Sequence, residues 1–499
     1  MSLISVNNLT FYYEGSYDNI FENVSFQIDT DWKLGFVARN GRGKTTFLKL
    51  LLGKEEYRGS ITANIAFDYF PFPVENPKET TLELVEKLYP DYEFWRICAE
   101  LTRLHVDSDV FYRPFSTLSN GEQTKVMLAV LFSRENNFLL IDEPTNHLDM
   151  PTREVVKEYL KSKKGFILVS HDRDFLDDCV DHILAINKTN IEVCQGNFST
   201  WWENKNRQDE YERAENERLK KDIKRLTEAA RKAKKWADDV ESTKIGKGSE
   251  KYEKCIDTRA YVGEKSRRMQ MRRKNLERRQ EREIEEKSTL LKNVETAEKL
   301  KLFPLRHYKD VLVNVKDVKV LYPNKEIAVP DFSIRNGDRV VLAGPNGCGK
   351  TSIIRALLGQ AEYTGTLEVA AGLKISYVPQ DAEFLRGSLD AYIEKTRLDA
   401  SLFKALLRKL DFDRLQFEKN MEEYSGGQKK KVLLAESLCT QAHLYVWDEP
   451  LNYIDVFSRM QLEELILQFQ PTLLMVEHDK TFVERTATHV VSLSSESTR

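Results

Sequence analysis

The chain has 499 residues, 41% hydrophobic and 31% charged, with a formal net charge of -3, enough for two or three domains with sizeable cores. No apolar run approaches the roughly 20 residues that span a bilayer, and Met1 to Thr10 lacks a basic segment followed by an apolar one, so a soluble cytoplasmic protein is expected. The six cysteines show no close pairing and suggest neither a zinc site nor a disulfide framework.

Up to about residue 200, β-rich runs at Lys33 to Val37, Phe138 to Ile141 and Phe166 to Val169 alternate with helix-like stretches, which predicts an α/β layer fold with a largely parallel sheet. The chemistry sits at the strand ends. Ala38-Arg39-Asn40-Gly41-Arg42-Gly43-Lys44-Thr45 follows a strand and opens a helix, the placement a phosphate-binding loop requires: glycines expose backbone N–H groups, Lys44 reaches the terminal phosphates and Thr45 ligates Mg2+. Ala38 stands where the pattern has Gly, harmless if its φ is negative. Downstream, a buried strand ends in Asp142, placed to hold Mg2+, and Glu143, placed to orient and deprotonate the attacking water. His171 ends the next strand, where it would sense the γ-phosphate. Leu118-Ser119-Asn120-Gly121-Glu122-Gln123 precedes a helix expected over Thr124 to about Arg134, so Ser119 and its neighbours form an anion site at a helix N-terminus. This hexapeptide resembles the signature of ATP-binding cassette (ABC) proteins, and read with Asp142 to Asp149 the resemblance to that family is strong. In that family the signature of one cassette completes the ATP site of the other. Asn120 replaces a signature glycine, and asparagine tolerates left-handed backbone better than most residues.

From about Trp201 to Lys301 the pattern changes. Leu219, Ile223, Leu226, Ala230, Ala233, Ala237 and Val240 recur in steps of four and three, the stripe of a helix seeking a partner helix. Met269, Leu276, Ile284, Leu291 and Val294 form a looser returning stripe, with Gly246, Gly248 and Gly263 breaking the pattern between them. The reading is helix, loop, helix, with a tip near residues 242–262 carried about 60 Å out. Roughly 30 Lys and Arg face roughly 21 Asp and Glu here, about +9 locally, leaving about -12 on the rest. Arg267, Arg268, Arg272, Arg273, Lys274, Arg278 and Arg279 crowd behind the tip, as phosphate-binding segments do.

The motifs then recur. Lys44 and Lys350, Ser119 and Ser425, Asp142 and Asp448, and Asp149 and Asp455 are each 306 positions apart, and His171 and His478 are 307 apart. An internal duplication explains this. Gly344 to Thr351 is the second phosphate loop, Tyr424-Ser425-Gly426-Gly427-Gln428 the second signature, and Asp448-Glu449 the second carboxylate pair. The halves differ where Tyr377-Val378-Pro379-Gln380 meets Tyr69-Phe70-Pro71-Phe72: the family uses that glutamine to contact Mg2+ and the lytic water, and a phenyl ring ligates nothing. Slower hydrolysis is expected at the Lys44 site.

Two cassettes without membrane helices, only 75 positions from loop lysine to signature serine, and a long basic linker resemble the ABC-F group of ribosome-binding ATPases. Gly196-Asn197-Phe198-Ser199 before Trp201-Trp202 is similar to that group's approach to the linker, and Thr258 to Lys265 with the basic helix after it resembles the Lsa and Vga type antibiotic-resistance members. The resemblance implies two tandem P-loop domains, 1–200 and 306–499, joined by an antiparallel coiled-coil linker, 201–305, in a monomer that pairs its own cassettes. It implies ATP and Mg2+ as cofactors. ATP contacts would come from Tyr13, Asn40, Gly41, Gly43, Lys44, Thr45, Thr46, Ser119 and Gly121, and from Tyr322, Asn346, Gly347, Gly349, Lys350, Thr351, Ser352, Ser425 and Gly427. Tyr13 and Tyr322 would stack on adenine. Metal ligands would be Thr45, Asp142, Thr351, Gln380 and Asp448, and catalytic groups Glu143, Glu449, His171, His478 and Gln380. The implied partners are the 70S ribosome with its 23S rRNA and P-site tRNA, with the protein in the E site. Lys244, Ile245, Tyr252, Ile256, Tyr261, Lys265, Arg267, Arg268, Arg272 and Arg273 are the candidates at and behind the tip. The implied function is displacement of lincosamide, streptogramin A or pleuromutilin drugs from the peptidyl-transferase centre. The alternatives are a housekeeping translation factor and, less in keeping with a basic arm, the ATPase of an exporter.

Overall fold

Runs of apolar residues without polar alternation become central strands. Phe138–Ile141 and Phe166–Val169 are buried on both faces, as strands covered by helices on each side must be. They belong to a six-stranded sheet with the spatial order Ala66–Phe70, Asn137–Asp142, Phe166–Val169, Lys33–Val37, His182–Asn187 and Asn190–Gln195. All its pairings are parallel except the last. An antiparallel sheet of Phe21–Asp29, Leu3–Phe11 and Arg58–Thr62 accompanies it. One apolar core, including Ile4, Phe21, Phe36, Phe47, Leu140 and Ile167, draws on strands of both sheets and on the helix after the phosphate loop.

The second half repeats the plan. Its parallel sheet runs Ile375–Val378, Leu444–Asp448, Leu473–Val476, Arg339–Ala343 and His489–Ser492. In both halves the loop-bearing strand is separated from the carboxylate-bearing strand by one neighbour, so loop and carboxylates meet at the C-terminal edge, where open parallel sheets bind ligands.

The computed structural model describes residues 2–13, 19–135, 137–146, 148–187, 190–242, 271, 279, 300–323, 325–412 and 414–493. The chain divides into two units, Met1–Trp201 with Glu298–Arg499, and Trp202–Ala297. Trp201 is buried near Phe457, and Leu300 and Leu302 join the apolar core of the second cassette. These apolar residues draw both ends of the charged stretch into the cassette unit.

The linker opens with a 45-residue helix, Phe198–Ser242, about 67 Å at 1.5 Å per residue. Leu219, Ile223 and Leu226 are half-buried on it while Lys220, Lys221, Lys224 and Arg225 are exposed, so these three residues of the stripe share one face. The expected return helix, apart from Met271 and Arg279, falls outside the described residues. So do the tip candidates Lys244, Ile245, Tyr252, Ile256 and Tyr261, and Lys265, Arg267, Arg268, Arg272 and Arg273 behind them.

Candidate active sites

Each phosphate loop leaves its strand and enters a helix through a left-handed glycine. Gly43 has φ 92° before Lys44–Leu51 and Gly349 has φ 103° before Lys350–Leu357, a conformation that is strained for any residue with a Cβ. Ala38 does not take a positive φ, so the loop keeps its course without the usual first glycine. Lys44 Nζ donates to the carbonyl of Ala38 at 3.0 Å and Lys350 Nζ to that of Gly344 at 2.8 Å, which places both ammonium groups inside their loops. Burial lowers the pKa of Lys44, with Glu143, Asp455 and Asp142 pulling the other way.

The carboxylates follow the strand ends. Glu143 and Glu449 both carry left-handed backbone, φ 52° and 47°. Such strain in a residue with a Cβ costs about 1–3 kcal/mol and gathers at functional sites. His171 Nε2 lies 3.1 Å from Glu143 Oε1, yet neither carboxylate oxygen of Glu143 has a hydrogen bond of good geometry. At the second site the matching distance is 3.8 Å, and Asn452 Nδ2 donates to Glu449 Oε2 at 2.7 Å. Burial raises the Glu143 carboxyl against the pull of Lys44. It also keeps both histidines neutral: His171 lies well below its ordinary value, and His478 is lowered to about 3, with Lys350 and Arg153 adding to the effect.

The residues suit Mg2+. Asp448 is fully buried and both its carboxylate oxygens lack hydrogen-bond partners. Burial pushes it up to about 6; the Thr351 hydroxyl, near but not in good hydrogen-bonding geometry, pulls the other way. A buried, unpaired carboxylate beside a hydroxyl is the oxygen-only environment a hard cation takes. At the first site Asp142 instead accepts a 2.8 Å hydrogen bond from the Tyr69 hydroxyl.

The helix expected from Thr124 begins four residues earlier, at Asn120, and ends at Phe132. Ser119 and Glu122 close a capping box that carries the signature into the first helical turn; Ser425 and Gln428 do the same for Gly426–Cys439. Asn120 is therefore helical, and the left-handed tolerance expected to matter there is not used. Its counterpart Gly426 has room for a Cβ, the nearest atom being 3.6 Å away on Tyr453. Gly427 does not: a Cβ there would lie 2.7 Å from the Tyr453 carbonyl.

Each signature meets the opposite loop. A cavity of about 780 Å³ is lined by Asn40, Gly41, Lys44, Thr45, Asp142, Glu143 and His171 from the first half, and by Ser425, Gly426, Gly427 and Gln428 from the second. Another of about 360 Å³ is lined by Asn346, Gly347, Gly349, Lys350, Thr351, Ser352, Gln380, Glu449 and His478, with Asn120 and Arg153 from the first half. Gly43, Thr46, Ser119, Gly121 and Asp448 stand just outside the linings. So do Tyr13 and Tyr322, whose hydroxyls bond to Thr46 and Ser352 at 3.0 and 2.9 Å, beside the loops. Phe72 is buried edge-on against Tyr89, while Tyr69 and Pro71 face the first cavity.

Contacts not expected from the sequence join the halves. The Arg39 guanidinium donates to both oxygens of Asp411 at 2.8 Å, and Asn40 Nδ2 donates to the Tyr453 carbonyl at 3.1 Å. The Asn346 amide donates to Asp149 Oδ2 at 3.1 Å, Arg153 donates to the His478 carbonyl at 3.0 Å, and Arg173 pairs with buried Glu463. Comparing the halves at the 306 offset carries part of this signal, because Arg153 matches Arg459 whereas Arg39 faces Pro345.

The ABC transporter family model matches residues 21–146 and 328–452, half of the chain, on the segments that hold both loops and both carboxylate pairs. The chain is a twin-cassette ABC protein of the ABC-F branch. Among its relatives, ribosome protection protein VmlR of Bacillus subtilis is 28% identical over 99% of this chain and 87% of its own. The energy-dependent translational throttle protein EttA of Escherichia coli is 26% identical over 96% and 90%. The fold matches the archaeal ribosome recycling factor aABCE1, crystallised with stalk protein aP1, at a TM-score of 0.61 and 19% identity, covering 97% of this chain and 87% of that one. No helix among the described residues is long and apolar enough to cross a membrane.

Proposed function

We propose that the protein is an ATP-driven clamp that binds the ribosome and, through its basic linker, protects it from drugs at the peptidyl-transferase centre. The observation that carries the clamp is the composition of the two cavities, each uniting the loop of one half with the signature of the other. ATP held by both surfaces ties the halves together, and loss of the γ-phosphate removes the tie. Lys44 and Lys350 neutralise the terminal phosphates, Glu143 and Glu449 orient and deprotonate water, and His171 and His478, both neutral, offer hydrogen bonds to the γ-phosphate. Mg2+, when bound by Thr45 and Asp142 or by Thr351, Asp448 and Gln380, spreads the charge of the β- and γ-phosphates.

The partner rests on the relatives and on charge. VmlR is a ribosome protection protein of nearly the same extent, and the linker carries about +9 in a chain of net charge -3, the balance expected of a segment that meets RNA phosphates. In this reading the protein occupies the E site, its linker meets P-site tRNA and 23S rRNA, and the tip displaces lincosamides, streptogramin A or pleuromutilins. The likeness to EttA, at 26% identity, supports a second reading, a translation factor that acts without any drug.

The double variant Glu143→Gln, Glu449→Gln, which should bind ATP but hydrolyse it slowly, separates these readings. It is sedimented with 70S ribosomes carrying P-site tRNA, with and without ATP, across a salt series and with labelled lincomycin. ATP-dependent, salt-sensitive binding with loss of the drug is the expected result. Binding with the drug retained favours the translation factor, and no binding overturns the ribosomal reading while leaving the ATPase intact.

A further inference from the structure

We propose that Lys430 is a positioning residue of the second nucleotide site, holding the turn that carries Gln380 against the end of the strand that carries Asp448. The proposal rests on reading that site as an ATPase centre. Lys430 is only 3% exposed, and an ammonium buried so deeply is costly unless its donors are satisfied. Its Nζ donates to the carbonyl oxygens of Pro379 at 2.7 Å and Asp448 at 3.1 Å. These carbonyls lie at the ends of Ile375–Val378 and Leu444–Asp448, which pair in parallel. Beyond the ladder such carbonyls need another partner. The residues immediately after them are Gln380 and Glu449, and both line the second cavity. One cation therefore fixes the spacing between the glutamine and the carboxylates.

The first half lacks this brace. At the 306 offset Lys430 corresponds to Thr124, whose short hydroxyl side chain cannot bridge two strand ends as a lysine does. Buried Glu477, which accepts from the Leu451 and His478 amides, corresponds at 307 to Ser170. The charged scaffold thus occurs in the half that has the glutamine and is absent from the half with Phe72. Lys430 also lies in the helix Gly426–Cys439, capped by Ser425, which lines the first cavity.

Turnover of the second site is read in the Glu143→Gln protein. Lys430→Met should lower kcat by about tenfold or more while KM for ATP stays within about twofold, the mark of lost positioning rather than lost binding. Lys430→Gln, which keeps two N–H donors, should retain more turnover than Lys430→Met. In a Gln380→Ala background Lys430→Met should add no further loss, because both changes remove the same placement. Should Lys430→Met fail to fold, Lys430→Thr, the residue of the first half, takes its place. Turnover within about twofold of the parent, a loss fully additive with Gln380→Ala, or no effect of Gln380→Ala itself would each overturn the proposal. Absence of any turnover in the Glu143→Gln parent would instead remove the ATPase reading of the second site, and the proposal with it.

Discussion

At the first site the strand ending at Phe70 brings Tyr69 onto Asp142 and turns Phe72 into the core, whereas at the second Gln380 lines the cavity and the Asp448 carboxylate has no hydrogen-bond partner. The rims differ too. Arg39 grips Asp411 with two bonds of 2.8 Å beside the first cavity; at the 306 offset the second half sets Pro345 against His105, which cannot form such a pair. Yet Asp411 and His105 share nearly the same left-handed φ, 57° and 54°, as do Glu143 and Glu449. The duplication has kept its backbone, strained residues included, and let the side chains diverge. This divergence of side chains is the ground for expecting slower hydrolysis at the first site than at the second.

The largest expected effect concerns the glutamine. Gln380→Ala should lower second-site turnover by about 10²-fold, the usual cost of removing one group that stabilises the transition state. Steady-state phosphate release from the Glu143→Gln background checks it; an unchanged rate would erase the main difference between the sites. The converse exchange should fail. Phe72 is 6% exposed, so Phe72→Gln buries an amide in an apolar pocket and should cost about 2 kcal/mol of stability in a denaturant titration without raising first-site turnover.

The rim supplies a smaller effect. Arg39→Ala removes a two-bond charged pair, each such bond worth about 1.5–3 kcal/mol at most and less here because both groups are partly exposed. Release of a fluorescent ATP analogue from the first site should quicken by about tenfold, while release from the second site stays unchanged. Equal effects at both sites would show that the pair does not distinguish them.

The remaining effect is on the pH dependence of stability. His478 is held at about 3 in the folded protein against 6.5 for the free side chain, so between these values the unfolded chain binds a proton that the folded one refuses. Stability therefore falls as pH drops below about 6.5, by about 1.4 kcal/mol per pH unit from this group. His478→Gln removes that contribution and should flatten the acid side of the thermal midpoint against pH. A slope as steep as that of the parent would show that the ring is not buried as described.

Much of this was legible because the motif chemistry is local. A loop such as Asn40 to Thr45 reads from its own residues, and so does a run such as Phe138 to Ile141 that can only be a strand covered on both faces. Helix starts were harder: the signature helix begins at Asn120 because Ser119 and Glu122 cap each other, although Asn and Gly are poor helix formers. The meeting of signature and opposite loop followed from the family resemblance, but individual side-chain pairs such as Arg39 with Asp411 were out of reach. Arg39 and Asp411 are 372 positions apart, and nothing in either neighbourhood announces the other. Lys430 was hidden in a basic run, Lys429 to Lys431, that looks like a solvated helix face, yet both Lys430 and Lys431 are buried.

The most direct test of the division between the sites is their turnover measured one at a time, with phosphate release from Glu143→Gln, in which the second site works, set against Glu449→Gln, in which only the first does. The second site is expected to run at least about tenfold faster, since both have the carboxylate and the neutral histidine but one has the glutamine. Equal rates, or a faster first site, would contradict the expectation that the Lys44 site hydrolyses ATP more slowly than the Lys350 site.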